Sequence, residues 1–176
     1  LVEHNQEKVK EVGAKTVVFA CPSCYHTWKE KYQMDGELLH STQFIERLIN
    51  ERRITFINGT SKTATYHDPC DLGRNSGVYD PPRNILKKIP NLNLVELEGN
   101  RQLSVCCGGG GDLEMIDPEL SAAIAQRKID EILRTGAEEV ITSCQQCIRT
   151  ISSYARKHKI KLKVKDITEV VLEAMG

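Results

Sequence analysis

Seven cysteines stand out in this chain of 176 residues. They occur as two C-x-x-C pairs, Cys21/Cys24 and Cys144/Cys147, one adjacent pair, Cys106-Cys107, and the single Cys70. The thiolate is the form of cysteine that ligates metals and acts as a nucleophile. A secreted disulfide framework usually has an even number of cysteines, and neighbours such as Cys106 and Cys107 pair only with strain. Metal ligation in a reducing compartment accounts for the set better. Five of the seven are spaced C-x35-C-C-x36-C-x2-C, from Cys70 through Cys106, Cys107 and Cys144 to Cys147, and Gly108-Gly109-Gly110-Gly111 follows the adjacent pair directly. Iron–sulfur clusters are held by cysteine thiolates, normally four. Structural zinc also takes four ligands, in tetrahedral geometry. A set of five exceeds the zinc requirement, so iron–sulfur chemistry is favoured and zinc remains the alternative.

The same residues carry finer expectations. Adjacent Cys106 and Cys107 should point in different directions and reach different irons of one cluster. The glycines, Gly108 and Gly109 foremost, should let the backbone pass close to a bulky cluster and offer it free N–H groups. Cys144 and Cys147 should span a helix start, where the helix dipole stabilises thiolates. His67, beside Asp68 and three residues before Cys70, suits a supporting position behind the ligands, although a lone histidine is more often structural. Cys21-Pro22-Ser23-Cys24 has three readings: ligands of an incomplete cluster site, a thioredoxin-type redox pair, or free thiols. The glycine run lacks the G-x-G-x-x-G context and the Lys-Ser/Thr ending of a phosphate loop. Tyr25, Trp28 and Tyr32 read as core or as a lobe interface.

These residues must be positioned by elements that the apolar pattern outlines. Lys15 to Ala20, Lys62 to Tyr66, Leu92 to Leu97, Glu138 to Thr142 and Leu162 to Lys165 read as short strands. Helices are expected after Pro22, over Phe44 to Ile49 with Ser41 or Thr42 as cap, from Pro81-Pro82 to about Ile89, and from Asp117-Pro118 to about Arg134. Two more follow Cys144 and begin near Asp166. Alternating strands and helices argue for an α/β architecture with mainly parallel sheets, each C-x-x-C lying at a strand's carboxyl end.

Gly13-Ala14-Lys15-Thr16-Val17-Val18-Phe19-Ala20-Cys21-Pro22-Ser23-Cys24 also parallels Gly136-Ala137-Glu138-Glu139-Val140-Ile141-Thr142-Ser143-Cys144-Gln145-Gln146-Cys147, with Thr27 and Thr150 at matching offsets. One unit therefore occurs twice, as two pseudo-repeated, Rossmann-like lobes. Residues 1–60 are expected to be the remnant of a truncated first repeat and 61–176 a complete second one. The chain opens without Met, which agrees with a fragment or processed piece. Acidic and basic residues balance at 24 each, unlike the basic footprint of a nucleic-acid binder. The alternating lysines of Lys157 to Lys163 read as a solvated edge. No apolar run approaches the roughly 20 residues of a membrane span, and the polar opening is no signal peptide. A cytoplasmic location is expected, with membrane association only through a partner.

The cysteine spacing and its flanks, Tyr66-His67-Asp68-Pro69-Cys70-Asp71-Leu72-Gly73-Arg74 and Gly77-Val78-Tyr79-Asp80-Pro81-Pro82-Arg83, resemble the cysteine-rich "CCG" domain. That domain occurs in heterodisulfide reductase catalytic subunits and in iron–sulfur subunits of lactate, glycolate and glycerol-3-phosphate oxidising systems. The resemblance covers essentially the whole chain. It implies that Cys70, Cys106, Cys107, Cys144 and Cys147 hold a noncubane [4Fe–4S] cluster used for electron transfer and disulfide reduction. It also implies that Cys21 and Cys24 match only the last two positions of a first motif. A flavin-linked 2-hydroxyacid or glycerol-3-phosphate dehydrogenase subunit is the alternative within the family; a zinc-stabilised interaction module is the alternative outside it. Implied partners are ferredoxin-like, flavoprotein or membrane cytochrome subunits, with a small thiol or disulfide as substrate. No ferredoxin-like C-x2-C-x2-C-x3-C run is present to bring electrons in, so the isolated chain is expected to be inactive.

Overall fold

The computed structural model describes residues 1–176. Helix α1 (Val2–Glu11) leads into strand β1 (Thr16–Phe19), helix α2 (Pro22–Lys31), strand β2 (Glu37–His40) and helix α3 (Ser41–Asn50). The chain continues through β3 (Thr63–His67), α4 (Asp80–Lys87), β4 (Asn93–Val95), the short α5 (Leu113–Ile116) and the long α6 (Pro118–Arg134). It finishes with β5 (Glu139–Thr142), α7 (Gln145–Lys157), β6 (Lys163–Asp166) and α8 (Ile167–Met175). Strands β1 and β2 form a two-stranded parallel sheet, and the other four form a parallel sheet in the order β4-β3-β5-β6. The α/β class and the parallel pairing follow the alternating pattern of the sequence.

Strand alternation sorts the core onto the two faces of the larger sheet. Ala64 and Tyr66 of β3 and Ile141 of β5 join Ile85 and Leu86 of α4 and Val170 and Val171 of α8. On the opposite face Val140 meets Ile129 and Ile132 of α6 and Ile151 and Ala155 of α7. Cys107 and Cys147 belong to this second cluster. All four residues of β5 are buried, as befits a central parallel strand covered on both faces.

The internal repeat extends further than the sequence comparison reached. The order α1-β1-α2-β2-α3 recurs as α6-β5-α7-β6-α8, with β1 and β2 parallel as β5 and β6 are. Both copies end in a capping box. In the first, His40 Nδ1 accepts the Thr42 N–H at 3.3 Å and Gln43 Oε1 accepts the His40 N–H at 3.0 Å. In the second, Asp166 and Glu169 play those parts at 2.9 and 2.8 Å. This corrects the cap assigned to Ser41 or Thr42: Ser41 is already helical, and His40 terminates β2 in extended geometry. Strand β2 escaped notice because only four residues form it, and α1 because its sequence is polar and it buries no residue.

Replacing Ile141 with Ala, at a fully buried position of both sheet and core, should cost about 2–5 kcal/mol of stability. Leu172→Ala, on the exposed face of α8, should stay within about 0.5 kcal/mol. Urea denaturation of the two variants checks the assignment of faces.

Candidate metal centre

Three loops carry the five cysteines, Cys70 after β3, Cys106 and Cys107 after β4, and Cys144 and Cys147 after β5, and a buried ion pair fixes the first loop. Asp68 directly follows β3. Arg83 of α4 grips it with both arms, Nη1 to Oδ1 at 2.7 Å and Nη2 to Oδ2 at 2.8 Å. The same guanidinium donates to Glu96 through Nε at 2.6 Å and Nη2 at 2.8 Å, and to the Tyr79 carbonyl at 2.8 Å. Both members of the Asp68–Arg83 pair are nearly inaccessible, at 3% and 1%. Asp68 Oδ2 also accepts the Arg101 N–H at 2.8 Å, and its carbonyl accepts the Ser104 hydroxyl at 3.1 Å. One aspartate thus ties the turn before Cys70 to the segment that leads into Cys106-Cys107.

The second loop is held by helices. Gly108 sits at φ +91°, and a Cβ there would lie 2.7 Å from the Ser121 carbonyl of α6; Ser121 in turn donates its hydroxyl to the Gly108 carbonyl at 2.8 Å. A Cβ on Gly109 would collide with Thr150 of α7 at 2.0 Å. The steric demand for glycine at these two positions therefore comes from α6 and α7. Their N–H groups serve the thiols: Gly108 donates to Cys106 Sγ at 3.3 Å, and Gly109 supports Cys107.

The third loop follows β5. Cys144 occupies the N-cap position of α7, and Cys147 lies in its first turn. Tyr66 and Ser143, whose hydroxyls are 3.0 Å apart, brace the strand end beneath it. The Cys144 thiol is brought down to about 7, first by the Cys147 thiol and then by the N–H groups of Cys147 and Gln146.

The five thiols lie close enough to shift one another's ionisation in turn, along Cys70–Cys106–Cys107–Cys147–Cys144. Cys106 is the member that most favours the thiolate, because the Cys107 and Cys70 thiols both donate to it. Those donations push Cys70 and Cys107 upward. Adjacent Cys106 and Cys107 shift each other's ionisation. They nevertheless serve opposite sides: Cys106 reaches the half-buried Cys70, whereas Cys107 faces inward to the buried Cys147. All seven cysteines are free thiols.

His67 lies on the inner side. Its ligand atom and the Sγ atoms of Cys107 and Cys147 all fall within 4.8 Å of one another. Cys21 and Cys24 stand outside the series, at the end of β1, where Cys21 Sγ accepts the Cys24 N–H at 3.4 Å. Their loop nevertheless abuts it: Gln145 donates to the Ala20 carbonyl at 3.1 Å, and Ser23 hydrogen-bonds Asp71. Tyr25 packs with Leu72 and Val78, and Trp28 stacks on Tyr32 at 4.0 Å.

Sequence reading missed the Asp68–Arg83 clamp and a fully buried lysine, Lys128 of α6. Lys128 could have been found, because it occupies a core position of the helical stripe Ala125, Ile129, Ile132. Nothing local marked the role of Arg83.

Fold and site together define a parallel α/β protein with a polythiolate centre at the carboxyl edge of its sheet. The "Cysteine-rich domain" (CCG) family model matches residues 64–152, more than half of the chain, and the chain belongs to that family. It is 36% identical over its whole length to a subunit of the dihydromethanophenazine:CoB–CoM heterodisulfide reductase of Methanosarcina barkeri, and it covers 44% of that relative. A probable iron–sulfur-binding oxidoreductase of Bacillus subtilis is 29% identical over 99% of the chain and 26% of that relative. An EtfAB:quinone oxidoreductase of Syntrophomonas wolfei is 33% identical over 99% of the chain and again 26% of the relative. The chain thus spans less than half the length of these curated relatives, which are oxidoreductases or their subunits. No helix is long and apolar enough to cross a membrane.

Arg83→Met should destabilise the fold by about 3–5 kcal/mol, because Asp68 is then left charged and buried without its partner. Asp68→Asn with Arg83→Met together should recover part of that loss. A double-mutant cycle by denaturant unfolding reads the coupling.

Proposed function

We propose that this chain is part of an iron–sulfur subunit of an oxidoreductase and holds one noncubane-type [4Fe–4S] cluster on Cys70, Cys106, Cys107, Cys144 and Cys147. The observation that carries the reading is the gathering of five free cysteines beyond the carboxyl ends of three neighbouring parallel strands, β4, β3 and β5. The donor set fits the group: thiolates are what iron–sulfur clusters require, and the N–H groups of Gly108, Gly109 and the start of α7 offset the negative charge they concentrate. When bound, such a cluster supplies one-electron redox chemistry and a place for substrate sulfur.

The chain's own residues do the rest. Asp68 and Arg83 fix the spacing of the first two loops, and the core residues around Cys107 and Cys147 exclude water from the inner side. By similarity to heterodisulfide reductase, the reaction is disulfide reduction, in which one disulfide takes two electrons and two protons to give two thiols. The chain works on the cytoplasmic side, electrons come from a ferredoxin-like, flavoprotein or membrane cytochrome partner, and the isolated chain does not turn over. Residues 61–176 form the complete unit. Residues 1–60 contribute Cys21 and Cys24 as the remnant of a second, truncated site.

A zinc reading rests on one observation, the compact trio of His67, Cys107 and Cys147. Anaerobic purification, reconstitution, and iron and acid-labile sulfide analysis separate the two readings. About four irons per chain are expected, falling sharply in Cys70→Ser, Cys107→Ser or Cys147→Ser and unchanged in Cys21→Ser. Less than one iron per chain, with stoichiometric zinc instead, contradicts the proposal.

A further inference from the structure

His67 is the last residue of β3, and its side chain lies on the opposite face from Tyr66. It is 1% exposed, and neither ring nitrogen has a hydrogen-bond partner within the protein. A neutral imidazole carries one donor and one acceptor, and leaving both unmet in a protein interior is costly. Burial keeps this imidazole neutral, its pKa lowered to about 3.

Several charged and polar groups near it are engaged elsewhere, and the buried Thr65 hydroxyl on the same strand face makes no hydrogen bond to it. Asp68 is held by Arg83 and the Arg101 N–H. The Thr142 hydroxyl donates to the His67 carbonyl at 3.0 Å, so it serves the backbone. Lys128, whose charge bears on the ring, is paired with Glu131 at 2.5 Å, and Glu131 also accepts the Gly99 N–H at 2.7 Å. The sulfur side remains, with Cys107 and Cys147 in reach.

We infer that His67 donates a ring N–H to sulfur on the buried, Cys107–Cys147 side of the centre and thereby raises the reduction potential of the cluster bound there. This role rests on the cluster reading under Proposed function. Five thiolates already suffice for four irons, so no iron requires the imidazole as a ligand. Reduction adds negative charge to the cluster, and a hydrogen bond to its sulfur favours the more negative state. His67 is thus a positioning and tuning residue, and no proton transfer is assigned to it.

The test uses the full chain, reconstituted anaerobically, in three forms: wild type, His67→Leu and His67→Gln. All three should load the same iron. At the wild-type midpoint potential, the ratio of reduced to oxidised cluster should fall about tenfold or more in His67→Leu, the effect of losing a hydrogen bond to a charged acceptor. Most of it should return in His67→Gln, which keeps an N–H donor. In the wild type, electron–nuclear resonance should show a solvent-exchangeable proton coupled to the cluster, together with a weak coupling to 15N-labelled histidine. That spectrum decides the matter even if His67→Leu fails to load. An unchanged potential in a loaded His67→Leu, absence of the exchangeable proton, or a strong nitrogen coupling typical of an iron-bound imidazole overturns the inference while leaving the cluster reading intact. A wild-type chain that binds no cluster at all overturns the cluster reading, and this one with it.

Discussion

The Asp68–Arg83 ion pair is the interaction on which the geometry of the centre depends. Cys70 and Cys106 are far apart in sequence, and the loops that bear them have little regular structure of their own. Asp68 resolves this by taking the guanidinium on both carboxylate oxygens while also accepting the Arg101 N–H. Arg83 is anchored in turn by Glu96, whose carboxylate closes the other side of the fork. Burying such a pair stabilises little on balance, because desolvation offsets most of the attraction. Its value here is geometric: the planar fork and the planar carboxylate pair through two parallel bonds, which fixes their relative orientation.

Around that fixed point the fold manages a second difficulty, the crowding of five thiols. Hydrogen bonding from Cys107 and Cys70 lowers Cys106 and raises those two donors, and the repulsion between neighbouring charges adds to the rise of Cys70 and Cys107. Backbone N–H groups supply the compensation: Gly108 and Gly109 on one side, the first turn of α7 on the other. Glycine at 108 and 109 lets α6 and α7 press close enough for those N–H groups to be aimed. Packing, backbone conformation and thiolate chemistry therefore meet in two residues.

Much of this was legible in the sequence. Short β-branched runs alternating with capped helical segments announced parallel α/β layers, and Asp117-Pro118 marked the start of α6. The cysteine spacing singled out five residues that the fold places beyond the ends of adjacent strands. What stayed hidden was hidden for physical reasons. Strand β2 and helix α1 are defined by tertiary pairing and by position rather than by strong local patterning. Arg83 is a long-range partner, 15 residues from Asp68 and on another element, so no local periodicity could point to it. The capping role of His40 depended on where β2 ends, and the bond from the Gly108 N–H to Cys106 Sγ on how the glycine loop turns.

The central claim is that the five-thiol series is one redox-active iron–sulfur centre, and an electron paramagnetic resonance spectrum of the anaerobically reconstituted chain tests it most directly. The expected result is a paramagnetic iron–sulfur signal in one oxidation state, altered when a small thiol is added and lost in Cys107→Ser. A spectrum silent in every oxidation state, from protein that carries stoichiometric zinc, would contradict it.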